Sequence, residues 1–229
     1  MATFVLIHGS YQGGWIWKPV AQRLRALGHE AYTPTLDGCG ERASQVRAGI
    51  DTESQADEVA QLIFYEDLQN VVLVGTSSGG MVACRVAELI PDRIGRLVFV
   101  DALALLNGEK IRDIVKRSTA QASGITAGPS REDAANRLFA DLDPAMKGWA
   151  LERYTQHPIG CYENGVKLDK FWEMPWEASV IWCKGAQNPG EAHQRRTAEK
   201  LNAPFHALDT GHYPMLSLPE ELTQLLLKG

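Results

Sequence analysis

The stretch NVVLVGTSSGGMVAC, residues 70–84, passes from an apolar run to a cluster of glycines and hydroxyls and back to an apolar run. Within it, Gly75, Ser77 and Gly79 have the spacing G-x-S-x-G. VVLV predicts a buried strand and MVACRVAELI predicts a helix, so the serine lies at a sharp strand-to-helix turn. Glycines two positions away on either side remove side chains that would collide there. The stretch therefore predicts a strained elbow that presents Ser77 as a nucleophile.

The neighbouring hydroxyl is the alternative nucleophile. Reading from Thr76 gives T-x-S-x-G with Ser78 in the central place, but this reading loses the first glycine. We therefore favour Ser77. We predict that Ser78 supplies a backbone N–H at the helix start, where free N–H groups can receive an oxyanion. A phosphate-binding loop would need the pattern G-x-x-x-x-G-K, which this stretch lacks.

A histidine near the end of the sequence is the candidate general base. His212, in LDTGHYPMLSLPEEL, follows the last predicted strand and precedes the final predicted helix. That is the place of the base when the chain order is Ser, acid, His. His8, in IHGS, follows the first predicted strand, and we predict a structural role for it. We expect the same loop to complete the oxyanion hole through the backbone N–H of Ser10.

The acid that would orient His212 has several candidates. Asp101 ends the predicted strand RLVFVD, and parallel strands bring their carboxyl ends to one crevice, although a helix N-cap is its alternative role. Asn188 stands where an acid is more often found, and Glu191 follows three residues later. Asp209 is too close to His212 in sequence to face its ring. We favour Asp101 and keep Glu191, Asp209 and the lack of any acid as alternatives.

Apolar strands alternate with helices through residues 1–102 and again after residue 173. The predicted strands are TFVLIHG, EAYTPT, NVVLVG, RLVFVD, ASVIWCKG and PFHALDTG. Such alternation predicts an α/β fold with a mostly parallel sheet of about six strands, flanked by helices on both faces. Thr52 and Gln55 have capping-box spacing at the start of one helix.

Residues 103–173 interrupt this alternation. GEKIRDIVKRS and REDAANRLFADL predict helical pieces, and no strand is convincing there. We expect a core of residues 1–102 and 174–229, with 103–173 inserted as a helical cap over the strand ends. We expect most of its aromatic residues to pack the cap against the core, and only a few of them to line a pocket. The residues expected to line a substrate pocket are Tyr11, Trp15, Trp149, Tyr154 and Trp172.

Composition narrows the class of protein. The net charge of the 229 residues is −5, which argues against nucleic acid and against an anionic membrane surface as partners. No apolar stretch approaches the roughly 18 residues of a membrane helix, and the first residues lack a basic segment typical of a signal peptide. The four cysteines are widely spaced, which favours free thiols in the cytoplasm over disulfides or zinc. We expect a small-molecule substrate, no cofactor and no metal, and we leave a homo-oligomer open.

Five stretches together resemble the α/β-hydrolase fold superfamily: FVLIHGSYQGGWIW, GHEAYTPTLDGCGERA, YEDLQNVVLVGTSSGGMV, RIGRLVFVDA and LDTGHYPMLSLPEEL. They are most similar to small bacterial serine esterases of the carbendazim-hydrolase type and to the plant methylesterase and hydroxynitrile-lyase group. The resemblance implies Ser77 as nucleophile, His212 as base, and the N–H groups of Ser10 and Ser78 as the oxyanion hole. FVDA also matches the strand-end text that can carry the acid in haloalkane dehalogenases, which supports Asp101.

The resemblance implies a serine carboxylesterase that cleaves a small, moderately apolar ester, carbamate or amide through an acyl-enzyme. The alternative is a lyase or a small-ligand-binding relative on the same fold. Hydroxynitrile lyases carry Lys directly after the catalytic His, where this chain has Tyr213, which counts against cyanohydrin chemistry. Haloalkane dehalogenases need Asp at the position of Ser77 and are excluded.

Overall fold

A computed structural model describes residues 1–115 and 121–228. Its centre is a six-stranded sheet in the order β2-β1-β3-β4-β8-β9, with every neighbouring pair parallel. The predicted α/β fold is confirmed, with helices flanking the sheet. Its strands are β1 (Thr3–Ile7), β2 (Glu30–Tyr32), β3 (Val71–Ser77), β4 (Ile94–Ala102), β8 (Ala178–Cys183) and β9 (Phe205–Leu208).

Continuous apolar strands form because both faces of the sheet are covered. Successive residues of a strand point to opposite faces, so each central strand contributes to two separate cores. In β3, for example, Leu73 packs into one buried cluster and Val74 into the other. Strictly alternating polar residues would leave one of these faces without apolar partners. The sheet is therefore a rigid support for the loops at its carboxyl edge.

Helices on both faces supply the rest of these cores. The helix α2 is capped by Asp51, whose side chain accepts from the Ser54 N–H at 3.0 Å, so the capping box lies one residue earlier than Thr52 and Gln55. Thr52 is instead the first residue of the helix, and its side chain is buried. The longer helices are α1 (Lys18–Ala26), α2 (Thr52–Tyr65), α3 (Gly79–Leu89), α6 (Pro144–Glu152), α8 (Glu191–Leu201) and α10 (Pro219–Leu227).

The segment between β4 and β8 differs from the helical prediction. It contains a small antiparallel sheet in the order β5-β6-β7. Strands that can be recognised from sequence have four to eight residues with a clear apolar pattern, and these strands are too short and polar to show one. Residues 116–118 of the predicted helix GEKIRDIVKRS lie outside the described residues. The short elements are β5 (Gln121–Ser123), β6 (Thr126–Gly128), β7 (His157–Pro158), α4 (Ile111–Ile114), α5 (Arg131–Asp133), α7 (Gly160–Glu163) and α9 (Pro214–Ser217).

REDAANRLFADL begins as helix α5 and continues as one π-helical turn over Ala134–Leu138. The Phe139 side chain after this turn is fully buried against Tyr213, with their rings 5.0 Å apart. The inserted segment is thereby anchored to the loop that carries His212. All four cysteines are buried and free, as the spacing predicted. Over the two described ranges, no helix is long and apolar enough to span a membrane.

Candidate active site

The end of β3 forms a sharp turn into α3. Ser77 is the last residue of β3 and has a φ of +50°, in the left-handed region that non-glycine residues rarely occupy. A Cβ on Gly75 would come within 2.7 Å of the Gly79 carbonyl oxygen, and a Cβ on Gly79 within 2.5 Å of the His8 carbonyl oxygen. The two glycines are needed because backbone segments approach this closely. The strained turn places Ser77 on the wall of a pocket.

The loop after β1 packs directly against this serine. A Cβ on Gly9 would lie only 2.5 Å from the Cβ of Ser77. The hydroxyls of Ser10 and Ser78 share a hydrogen bond of 2.9 Å, which joins the loop to the start of α3. Among the described residues, no acceptor pairs with the backbone N–H of Ser10 or Ser78. The backbone N–H groups of Ser10 and Ser78 are therefore available donors, one from the loop after β1 and one from the residue that follows Ser77.

A buried carboxylate holds the ring of His212. The histidine lies between β9 and α9, and its Nδ1 is 2.5 Å from Oδ2 of Asp101. The other carboxylate oxygen of Asp101 accepts the Cys183 N–H at 3.2 Å. Burial raises the pKa of Asp101, and the hydrogen bond and charge of His212 act in the opposite direction. The Asp101 side chain is fully buried whereas that of His212 is 17% exposed, so the pair reaches from the core to the pocket.

The other acid candidates lie elsewhere. Glu191 begins α8 and forms an ion pair of 2.6 Å with Arg195, on the helix surface. Asp209 is exposed and belongs to the turn after β9. Asn188 lines the pocket but carries no charge. Of the carboxylates considered, the structure brings only that of Asp101 to His212.

One cavity of about 380 Å³ has both Ser77 and His212 in its wall. Loops at the carboxyl ends of the parallel strands form one side, as expected for ligand sites in such sheets. The inserted segment forms the other side. The strand-end loops contribute Ser10, Tyr11, Ser77, Leu103, residues 185–189 and residues 211–213; the insertion contributes Ile111, Val115, Pro129, Asn136, Arg137, Leu138, Ala140, Asp141 and Tyr162.

The sequence model of the alpha/beta hydrolase family matches residues 4–225. The chain belongs to this family. A lipase, LipV, from Mycobacterium tuberculosis is 30% identical over 98% of the chain and 92% of the lipase. A carbendazim-hydrolysing esterase from a Nocardioides species is 38% identical, over 52% of the chain and 49% of that esterase.

A solved structure gives the same architecture. An extracellular alpha/beta-hydrolase from a Paenibacillus species, described as sharing structural and functional homology with tobacco salicylic acid binding protein 2, superposes with a TM-score of 0.87. Its sequence is 26% identical, and the match covers 100% of this chain and 98% of that one. The fold of this α/β hydrolase is therefore shared over its full described length, inserted segment included.

Only one of the five aromatic residues expected in the pocket lies in its wall. Tyr11 lines the cavity, whereas Trp15 and Trp149 pack against each other with ring centroids 5.2 Å apart. Tyr154 donates its hydroxyl to the Pro129 carbonyl at 2.6 Å, and its ring packs against that of Tyr11. The structure does not place these three in the wall of this cavity, and Trp15 and Trp149 instead pack against each other across the segment between β4 and β8 and the loop after β1.

Trp172 also lies outside the wall of this cavity. Its indole N–H donates to the Leu105 carbonyl at 3.1 Å, and its ring packs edge-on against Phe171. Residues that do line the pocket, among them Tyr162, Asp141 and Gln187, had not been identified. Gln187 could have been found from its place after a parallel strand, but Tyr162 and Asp141 lie in the insertion, where the sequence shows no periodic pattern that fixes orientation.

Two buried histidines support the loops around the site in their neutral form. Nε2 of His8 accepts the Leu36 N–H at 3.0 Å, so its proton is on Nδ1, which donates to the Gly9 carbonyl at 2.7 Å. Burial lowers the pKa of His8 to about 4. Burial, helped by the nearby His8, lowers the pKa of His157 to about 3. His8 is thus fully buried, with both ring nitrogens hydrogen-bonded to the backbone.

These histidines should make the fold acid-sensitive below pH 6.5. Unfolded histidine has a pKa near 6.5, so the unfolded chain binds more protons than the folded chain as the pH falls from 6.5 towards 3. Each buried histidine then costs up to about 1.4 kcal/mol of stability per pH unit. We expect His157→Gln to lower the stability at pH 7 but to flatten its decline between pH 6 and 4.5, measured by urea unfolding. Equal slopes for both proteins would contradict this.

Proposed function

We propose that this α/β hydrolase is a serine esterase of the carboxylesterase type, with Ser77, His212 and Asp101 as its catalytic residues. The observation that carries the proposal is the 2.5 Å contact between His212 Nδ1 and Asp101 Oδ2, beside a pocket whose wall also contains Ser77. A carboxylate in this place fixes the imidazole tautomer with its proton on Nδ1, so that Nε2 can act as a base. The esterase and lipase relatives support the same reaction class.

The proposed reaction has two halves. As Ser77 Oγ attacks the ester carbonyl, His212 Nε2 takes its proton, and Asp101 stabilises the resulting imidazolium. The N–H groups of Ser10 and Ser78 receive the developing oxyanion, each contributing about 3 kcal/mol to barrier lowering if it matches measured oxyanion donors. His212 then gives its proton to the leaving alcohol as the C–O bond breaks. Water, activated by the same histidine, hydrolyses the acyl-enzyme.

Residues 103–173 act in this proposal as a cap over the core of residues 1–102 and 174–229. The support is that one side of the pocket comes from strand-end loops and the other from the insertion. Leu103 on one side and Ile111, Val115 and Leu138 on the other give part of the pocket wall an apolar surface. A cavity of about 380 Å³ is the size of a small-molecule site. We infer a small substrate with a moderately apolar acyl group.

The lyase alternative has no observation in its favour. Tyr213, at the position where hydroxynitrile lyases carry lysine, is fully buried against Phe139. Among the described residues of the pocket wall there is no lysine. We therefore place hydrolysis first.

Covalent labelling tests for an activated serine. We expect a fluorophosphonate to add once to the native protein, with the mass increase located on the peptide that contains Ser77. Labelling should abolish hydrolysis of p-nitrophenyl butyrate in the same proportion, because both reactions need the same hydroxyl. Protein denatured in urea should not react and serves as the control. A native protein that resists labelling and turns over no ester would refute the proposal.

A further inference from the structure

Asp141 is an ionisable group in the pocket that the proposed mechanism does not use. It lies in the insertion, in the stretch LFADLDPAM, and its side chain is exposed to the pocket. Among the described residues it forms no hydrogen bond and no ion pair. No positively charged side chain of the described residues is therefore bound to this carboxylate, and its charge is available to a ligand.

The position of this carboxylate relative to the proposed catalytic residues is well defined. A Cβ on Gly211 would lie 2.0 Å from Oδ2 and 2.8 Å from Oδ1 of Asp141. Both oxygens thus rest on the backbone of the residue that precedes His212. The same carboxylate is close enough to Cys183 and Tyr213 to add to the pKa increases that burial causes in both.

In the proposed reaction, the leaving group departs on the side of the pocket next to His212. In ester hydrolysis, the histidine that took the serine proton delivers it to the leaving oxygen, so the alcohol portion must lie beside its ring. The carboxylate of Asp141 rests against the backbone of Gly211, the residue that precedes His212. A cation attached to the alcohol portion would meet an unpaired carboxylate there, whereas an anion would be repelled.

Arg137 is the other charged side chain that the insertion contributes to the pocket wall. It already makes an interaction of its own within the protein. Asp101 is paired with His212 and fully buried. The two carboxylates therefore differ in role: one orients the histidine and the other faces the ligand space.

We propose that Asp141 is a specificity-determining residue that favours esters whose leaving alcohol carries an ammonium group. The inference rests on the proposed ester hydrolysis and names the substrate class for that site. The reaction is unchanged: the acyl C–O bond breaks, the alcohol leaves with the proton from His212, and the ammonium group stays intact.

Three butyrate esters of similar shape test the charge preference. They are 2-(dimethylamino)ethyl butyrate, which is cationic at pH 7, the neutral 3-methylbutyl butyrate, and the anionic 3-carboxypropyl butyrate. We expect the native protein to have the highest kcat/KM for the cationic ester. In Asp141→Asn the cationic-to-neutral ratio of kcat/KM should fall about fivefold, the scale of one partly screened charge pair. In Asp141→Lys the ratio should fall further, and kcat/KM for the anionic ester should rise.

Asp143→Asn is the matched control. Asp143 lies two residues away, is exposed, and caps α6 by accepting from the N–H groups of Ala145 and Met146, which Asn can also do. It is not in the pocket wall, so this variant should keep the native ratio. Sodium chloride at 0.5 M should reduce the preference of the native protein but have little effect on that of Asp141→Asn.

Two results would overturn the inference. One is a cationic-to-neutral ratio of kcat/KM that is unchanged in both Asp141 variants. The other is a preference of the native protein for the anionic ester, which would indicate that Arg137 determines the charge preference. If none of the three esters is hydrolysed, the proposed esterase function is contradicted, but the role of Asp141 can still be tested by binding. The same esters are then compared as ligands by calorimetry. Tighter binding of the cationic ester that is lost in Asp141→Asn would keep Asp141 as a cation-recognising residue, and equal binding would refute that role.

Discussion

Replacing Ser77 with Ala should lower kcat for p-nitrophenyl butyrate by on the order of a millionfold and abolish the burst of p-nitrophenol. The covalent route requires the hydroxyl at the tip of the β3–α3 turn, and the adjacent serine hydroxyl is held elsewhere. The Ser78 hydroxyl is bound to that of Ser10 at 2.9 Å. Steady-state and stopped-flow assays on the purified variant measure both effects.

Ser78→Ala is the informative comparison, because the two serines are adjacent and only one can be the nucleophile. It keeps the backbone N–H that the proposed oxyanion hole needs and loses only the hydroxyl bond to Ser10. A loss of about fivefold in kcat is expected, the equivalent of one hydrogen bond of about 1 kcal/mol. A millionfold loss in Ser78→Ala with an active Ser77→Ala would reverse the assignment. Unfolding midpoints should be recorded for both, since Ser77 has a strained φ of +50°.

The elbow could be predicted from sequence because its requirements are local. The motif needs an apolar strand, two glycines at fixed spacing and a helix, and all of these lie within residues 70–84. Asp101 and His212 are 111 positions apart in the chain, yet their contact could be predicted in part. Parallel strands bring their carboxyl ends to one edge, so a residue that ends a strand has a predictable place.

The pocket wall could not be predicted in the same way. Trp149 and Trp172 looked like pocket residues by composition, but aromatic rings fill cores as readily as they line sites. Asp141 faces the pocket because of where a π-helical turn ends and where Phe139 is buried, and neither has a sequence signal of its own. Orientation within an irregular segment depends on tertiary packing, whereas orientation in a strand follows from its period of two.

Asp101→Asn should lower kcat/KM for p-nitrophenyl butyrate by about ten-thousandfold at pH 7, the scale of the same change in a serine protease. The hydrogen bonds determine which way the amide must face. One carboxylate oxygen accepts from the Cys183 N–H, a fixed donor, so the amide oxygen of Asn must take that side. Its NH₂ group then donates to His212 Nδ1, which places the histidine proton on Nε2 and prevents that atom from accepting the proton of Ser77.

Tautomer control can be separated from loss of structure in this variant. The amide keeps both hydrogen bonds, and burial disfavours the charge of Asp101, as its raised pKa indicates, so thermal unfolding should change by only a few degrees. Glu191→Gln and Asp209→Asn are the controls, because both acids are on the surface and neither touches His212. We expect these two variants to stay within about twofold of native kcat/KM, as is usual for surface substitutions. A large loss in Glu191→Gln with an active Asp101→Asn would move the acid to α8. Full activity in all three variants would mean that His212 works without a carboxylate.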